Sequence, residues 1–445
     1  MKHKLKLLAV FSFIFCVSSG LAAQSQAAKN PRVCDPKSFG AKGDGSTKDT
    51  ASIQAAIDAC ASTGGTVELK SGVFLSGMIT LKSNIDFKID TGATLKGSED
   101  DLDYPDTHPA TQNGQLLNCN KTLIYAESAT HLRIIGAGTI DGSGSNPKWV
   151  LKERTRPMAI FIVLSNHVSI QDVSIKDAGM WGVVNMETDH LVIQRIHVHT
   201  PYGPTRDGID VVDCHHVLID RVDVFSEDDA ICLKSGIARG VDDVIVSNSK
   251  VLQSSVANGL KLGTASTGSF TNITFKNISV QNVDKAAMAV ESVDGSAISG
   301  VHFENIQFHQ AGSAIFILLG KRGNPPSVGS IENISFRNVS GDTKHTWGSA
   351  ISGTQIGSQV YAIHGLRFDH VHVTNSGGVK IIPSAPPEYV GQYPDPNLWG
   401  NLPAFGYYFR HVDGVEMNSS ANTDQSGDVR APLAQEDVTK FLVSP

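Results

Sequence analysis

The chain has 445 residues, with 37 Lys+Arg against 44 Asp+Glu and a formal charge of −7. That balance argues against nucleic acid or an anionic membrane as the main partner, yet it leaves room for a local basic cleft that binds an anionic sugar polymer. Six cysteines over this length are too few for a disulfide scaffold.

In chain order, Lys2, Lys4 and Lys6 precede an apolar run from Leu7 to Val17 and small residues up to Ala27. This is the layout of a cleaved secretory peptide over 1–27, which predicts a secreted or periplasmic mature domain over 28–445. The run is too short to span a bilayer, and no other segment is a candidate. Without the leader the count is 34 basic against 44 acidic, a charge of about −10. Cys16 leaves with it. One N-terminal bridge is then possible, while Cys214 and Cys232, set in apolar strand patterns, read equally as buried thiols. From Asp49 to Ala61, Ile53, Ala56, Ile57 and Cys60 fall on one face of a helix that Ser52 or Thr50 could cap.

The dominant signal is a recurring strand unit. Asn166-His-Val-Ser-Ile-Gln, Asp189-His-Leu-Val-Ile-Gln and His215-His-Val-Leu-Ile-Asp are three successive copies. Anchored on Val168, Leu191, Val217, Val244, Ile273, Val301, Ile331 and Leu366, the spacings are 23, 26, 27, 29, 28, 30 and 35. The apolar residues alternate with period two and are rich in Val and Ile, so the unit is a strand and not a helix. Its period is too short for a propeller blade, and the Leu/Asn frame of a leucine-rich horseshoe is absent. What remains is an all-β fold, a single-stranded parallel β-helix, right-handed by the general crossover preference, with the Asp49–Ala61 helix capping its open end. After Ser376 a stretch rich in Pro, Gly and Tyr reads as an excursion over the solenoid, closed by a final strand at 406–412. No linker divides the chain, so one domain, acting as a monomer, is expected.

Two acidic blocks carry chemistry: Thr205-Arg-Asp-Gly-Ile-Asp210 and Ser226-Glu-Asp-Asp-Ala-Ile231. Asp207 and Asp228 are 21 residues apart, close to one coil, so stacking brings their backbones to about 5 Å. Asp229 follows directly; adjacent strand residues face opposite ways, so Asp228 and Asp229 share a site only where the chain bends. Clustered carboxylates repel, which keeps a proton on one of them at unusually high pH. A protonated carboxyl beside an ionised one is what glycoside hydrolysis requires. Turn aspartates on the surface and a calcium site are the competing readings of the same residues.

Asp207-Gly-Ile-Asp210, Cys214 before a strand and Asp228-Asp-Ala-Ile-Cys-Leu-Lys-Ser-Gly236 resemble the polygalacturonase family, glycoside hydrolase family 28, in its bacterial, pectin-active branch. Phe39-Gly-Ala-Lys-Gly-Asp-Gly, Gly138-Thr-Ile-Asp-Gly142, Met180-Trp-Gly and Gly400-Asn-Leu-Pro-Ala-Phe-Gly-Tyr are similar as well. The resemblance implies a pectin-lyase-like solenoid and a pectic polysaccharide or oligosaccharide as substrate, with no metal or cofactor. It implies Asp228 as the proton donor, with Asp207 and Asp229 activating water. Inversion would follow, with the carboxyl groups roughly 6.5–9.5 Å apart. The sequence departs from the family at three places. Its Asn-Thr-Asp reads Thr205-Arg-Asp207; the histidine of its Gly-His-Gly is Asn258; its Arg-Ile-Lys, which grips galacturonate, aligns with Ala289-Val290-Glu291. Glu291 would repel a uronate unless protonated or paired.

Lys234 and Lys261, one and two coils along from the acids, and Arg322 are the candidates to compensate, since their coils neighbour the acids. Trp181, one coil before Asp207, is a candidate sugar platform or a packing residue. His199 could stand in for the missing histidine. A lyase using calcium with an Arg or Lys base and a non-catalytic binding solenoid are the two other functions this fold could carry.

Overall fold

In the computed structural model the described residues are 32–114, 120–150, 156–325 and 327–445. The expected leader, 1–27, and Cys119 lie outside them. The β-branched, alternating units do form strands, and almost every pairing is parallel to the next coil. Three ladders result. One runs through Val183–Met186, Ile209–Val212, Ile231–Ser235, Leu260–Ser266, Ala286–Ser292 and Ser313–Leu319. A second runs through Asn166–Gln171, Asp189–Gln194, His215–Asp220 and Val241–Ser247. The third runs through Ser174–Lys176, His197–Thr200, Asp223–Ser226 and Lys250–Ser254. From Phe270–Gln281 onward the second and third fuse into one long strand per coil. The result is a parallel β-helix with alternate residues inside.

The interior is a continuous apolar column, in which identical residues stack on their own kind. Phe275, Phe303, Phe336 and Phe368 form a row with ring centroids 5.0, 5.1 and 5.2 Å apart, close to the strand spacing. Outside, Asn248, Asn277, Asn305 and Asn338 form a ladder, each later amide donating to the one before at 2.9–3.0 Å. These asparagines have positive φ, which a short polar side chain tolerates at a corner. A second positive-φ row opens strands of the second ladder and the coil before it. There, at the second residue of Thr130–Ile135, Asn166–Gln171, Asp189–Gln194 and His215–Asp220, His131, His167, His190 and His216 have φ near +50° and ring centroids 4.6–5.0 Å apart.

Register corrects the repeat count at one place. Val301 pairs with Ile334, not Ile331, and Ile334 with Leu366, so the last two periods are 33 and 32 rather than 30 and 35. Ile331 lies three residues earlier, beyond the corner at Asn333, and pairs with Ile298.

The helix spans Thr50–Ala61 and buries Ile53, Ala56, Ile57 and Cys60 against the first coils. Neither Ser52 nor Thr50 caps it. Asp49 occupies the cap position, but its carboxylate accepts from the backbone of Lys42 and Gly43, while Thr50 Oγ1 accepts from Gly77. A disulfide joins Cys34 to Cys60 across a separation of 26 residues, restricting the unfolded chain by about 3–4 kcal/mol. Cys214 and Cys232 are buried free thiols. At the other end the chain does not finish at 412. Strand Ala404–Asn418 is followed by Ala421–Asp424 and by Ala431–Ser444, which pairs along Ala404–Asn418 and lays Leu433, Val438 and Phe441 over the core. This closing strand escaped the sequence pattern because most of it is exposed and Glu436, Asp437 and Lys440 interrupt its apolar residues.

Candidate active site

The pairing of Ile209 with Ile231 and of Ile231 with Leu260 fixes how the acids stack. Counting back two residues, Asp207 lies opposite Asp229, and Asp229 near Asn258. The hydrogen bonds Gly208 N to Asp229 O and Ala230 N to Asn258 O, 2.9 and 3.0 Å, hold these coils together. Gly208 is needed here, because a Cβ would come within 2.5 Å of Ala230 O and 2.3 Å of Val224 Cγ1. Asp228 is therefore offset by one residue from the row. It joins the site because the chain bends at Glu227–Asp228. Ser226 and Ser254 hydroxyls donate to Asp228 O at 2.7 and 2.8 Å, and Asp228 Oδ1 accepts from Asp229 N at 2.9 Å.

Each acid has a different environment. Asp229 Oδ2 accepts from Lys261 Nζ at 2.9 Å, and its Oδ1 from both the side chain and the backbone of Asn258 at 2.9 and 3.1 Å. Burial alone would raise it, but the Lys261 ammonium, then Lys234 and the Asn258 amide, outweigh that and hold it below the usual carboxylate range. Asp228 has no ammonium at bonding distance. Burial and the charges of Asp207 and Asp229 push it up to about 7. Asp207 shares Lys234 with Asp210: Lys234 Nζ is 2.5 Å from Asp207 Oδ2 and also bonds Asp210. One ammonium between two buried carboxylates is too little charge, so burial and Asp210 raise Asp207.

Lys234 and Lys261 thus lie at the acids, each committed to carboxylates. Lys261 also approaches the buried Glu291 at 3.6 Å, and burial lifts Glu291 to about 7. Trp181 is half-buried, its ring 4.3 Å from Lys234 Nζ, over an apolar patch of Met180, Val184 and Met186. Arg322 is not free for a substrate carboxylate: it forms a forked pair with Asp294 at 3.0 and 2.5 Å. His199 is on the third ladder, its ring tilted against Phe225 at 4.7 Å, and it makes no hydrogen bond or ion pair with the acids. Among the described residues no group of three His, Cys, Asp or Glu is arranged to hold a metal ion.

Sequence reasoning located Asn258 but not its role, and missed Tyr393 altogether. Asn258 takes the histidine's place as a double donor to Asp229. Tyr393 arrives from the excursion after Ser376: its hydroxyl and Glu291 Oε2 are each 2.9 Å from Thr264 Oγ1, and its ring lies 5.9 Å from Lys261 Nζ. The pairing of Lys285 with Asp395 at 3.1 Å and of Trp399 with Phe316 holds this excursion down.

The chain is 24% identical to the exo-poly-α-D-galacturonosidase of Dickeya chrysanthemi over 58% of its own length and 57% of that protein's. It is 25% identical to the endo-polygalacturonase of Pectobacterium parmentieri over 73% of its length and 86% of that protein's. It shares its fold with the hyperthermoactive exopolygalacturonase of Thermotoga maritima, at a TM-score of 0.69 and 21% identity, over 78% of this chain and 89% of that one. The model of the family described as glycosyl hydrolases family 28 matches residues 60–384, and the chain belongs to that family.

Proposed function

We propose that the chain is an exported glycosidase that hydrolyses α-glycosidic bonds of a pectic polysaccharide with inversion, using Asp207, Asp228 and Asp229. The observation that carries this is the unequal surroundings of two neighbouring carboxyls: Asp229 accepts from Lys261 Nζ and the Asn258 amide, each at 2.9 Å, while Asp228 has no ammonium at bonding distance, so that Asp228 is raised to about 7 and Asp229 lowered. Such a divided pair assigns the acid and the base. Asp228 donates its proton to the leaving oxygen as the bond breaks. Asp229, ionised by Lys261, takes a proton from the water that attacks the anomeric carbon from the opposite face. Asp207, tied to Lys234, orients that water. Trp181 and Tyr393 offer ring faces for sugars on either side of the acids.

Export rests on the leader read at 1–27; no helix among the described residues is long and apolar enough to cross a membrane. The test is to incubate the purified chain with homogalacturonan, rhamnogalacturonan and xylogalacturonan and measure new reducing ends. Release expected from at least one should disappear in Asp228→Asn, and proton NMR of early products should show the inverted anomer. Unsaturated sugar absorbing at 230–240 nm and lost on chelation would establish a lyase instead.

A further inference from the structure

Asn258 ties three coils together. Its backbone carbonyl accepts from Ala230 N, and its side-chain Oδ1 accepts from Ala286 N, both at 3.0 Å. A backbone N–H can only donate, so the bond from Ala286 fixes which end of the amide is oxygen. The Nδ2 end is thereby turned to Asp229 Oδ1, at 2.9 Å, and the backbone N–H of Asn258 reaches the same oxygen at 3.1 Å. Its backbone does not call for asparagine. The corner residues Asn248, Asn277, Asn305 and Asn338 have positive φ, and Asn258 does not. Both ends of its side chain are engaged, one by the coil that follows and one by the acid.

Each oxygen of a carboxylate offers two lone pairs. On Asp229 Oδ1 both are taken, by the two donors of Asn258. Among the described residues Oδ2 has one donor, the Lys261 ammonium at 2.9 Å. The remaining lone pair of Oδ2 is therefore where Asp229 can accept a proton. Asn258 is 1% exposed and Asp229 5%, so solvent does not readily replace a donor lost from Oδ1. An amide does not titrate, so this hold on Oδ1 is the same throughout the working pH range.

We infer that Asn258 is a positioning residue: by filling Oδ1 and fixing the carboxylate plane against the next coil, it makes Oδ2, beside Lys261, the oxygen of Asp229 that takes the proton from the attacking water. This rests on the glycosidase reading and deepens it, since it names the atom that acts as base and the side chain that aims it. In that step the water O–H bond breaks and its proton goes to Asp229 Oδ2. The water oxygen forms the new bond to the anomeric carbon. The glycosidic bond breaks, and its oxygen leaves with the electron pair and takes the proton of Asp228.

The experiment compares the full wild-type chain with Asn258→Ala, Asn258→Leu and Asn258→His on the pectic polymer that the wild type cleaves fastest. Values of kcat and KM, normalised to folded protein, are read across the pH range. Asn258→Ala removes one donor from Oδ1 and frees the carboxylate to turn. Asn258→Leu removes the same donor but keeps the volume, so it carries the test if the Ala variant does not fold. In both, kcat should fall about tenfold or more while KM stays within about twofold. The Asn258 amide also helps to hold Asp229 low, so the acidic limb should move upward by about half a unit or more. Asn258→His puts a ring Nδ1–H where the amide Nδ2 stood, and kcat should recover at least about fivefold over the Leu variant. A side chain that only packed between coils would lower the melting temperature and leave the acidic limb in place. An unmoved limb with kcat within about twofold of wild type overturns the inference and leaves the glycosidase reading standing, as does a loss that His fails to restore. No cleavage of any pectic polymer by the wild type overturns the glycosidase reading and takes the inference with it.

Discussion

Lys261 Nζ lies 2.9 Å from Asp229 Oδ2, and the two side chains are only 3% and 7% exposed. The pair is what keeps Asp229 ionised, because burial by itself favours the protonated form. Replacing Lys261 with Met should let burial win. The acidic limb of kcat/KM should move upward by a unit or more, and kcat near pH 5 should fall on the order of 100-fold. A pH–rate series on the variant checks this; an acidic limb that stays in place would mean that Asp229 does not serve as the base. Breaking a buried pair is also destabilising, by ~3–5 kcal/mol, so rates should be normalised to folded protein.

As the proposed proton donor, Asp228 should govern the other limb. Its proton is present below about pH 7 and lost above it, so kcat/KM should fall tenfold per unit once pH exceeds about 7. Between that limb and the depressed titration of Asp229 the profile should be flat. Asp228→Asn should lower kcat by about 10²–10⁴ without shifting the unfolding midpoint downward. Wild-type activity still rising at pH 8 would contradict the donor assignment.

Much of this was legible in the sequence because stacking turns a sequence period into proximity. Val168, Leu191 and Val217 recur at coil spacing, and that alone placed Asp207 beside the Asp228–Asp229 pair. What the period could not give was register to the residue. Asp207 faces Asp229, and Asp228 enters by a bend that depends on Ser226 and Ser254 holding its carbonyl. Nor could it give partners from outside the repeat. Tyr393 is 129 positions from Thr264 and lies in a stretch with no strand pattern. Lys234, Lys261 and Arg322 looked alike as basic residues near the acids. Only geometry separates two ammonium groups that serve the acids from a guanidinium already bound to Asp294.

Glu291 makes stability depend on pH. Its carboxyl titrates at 4.5 when free and at about 7 in the folded chain, so the folded state holds the proton more tightly. That contribution is complete below about pH 4.5 and is lost as pH rises toward 7. At ~1.4 kcal/mol per unit the loss is at most about 3–4 kcal/mol. Wild-type melting temperature should therefore drop between pH 5 and pH 8, and Glu291→Gln should flatten the slope. Parallel slopes for the two proteins would place the titration elsewhere.

The phenylalanine row separates stability from chemistry. Phe303 lies between Phe275 and Phe336, with centroids 5.0 and 5.1 Å away, and is fully buried. Truncating it to Ala leaves a cavity in a close-packed column and should cost ~3–5 kcal/mol, whereas Leu, which refills most of the space, should cost less. Its strand, Ala297–Ala311, belongs to the fused second and third ladders, while the acids precede strands of the first. In a solenoid each coil contacts mainly its neighbours, so the loss should spread as lowered unfolding resistance without moving Asp228 or Asp229. Urea unfolding of Phe303→Ala should shift to lower concentration, while kcat per folded molecule at 25 °C stays within about twofold of wild type. A matching collapse of kcat in still-folded protein would show that the core row and the acid row are mechanically coupled across the coil.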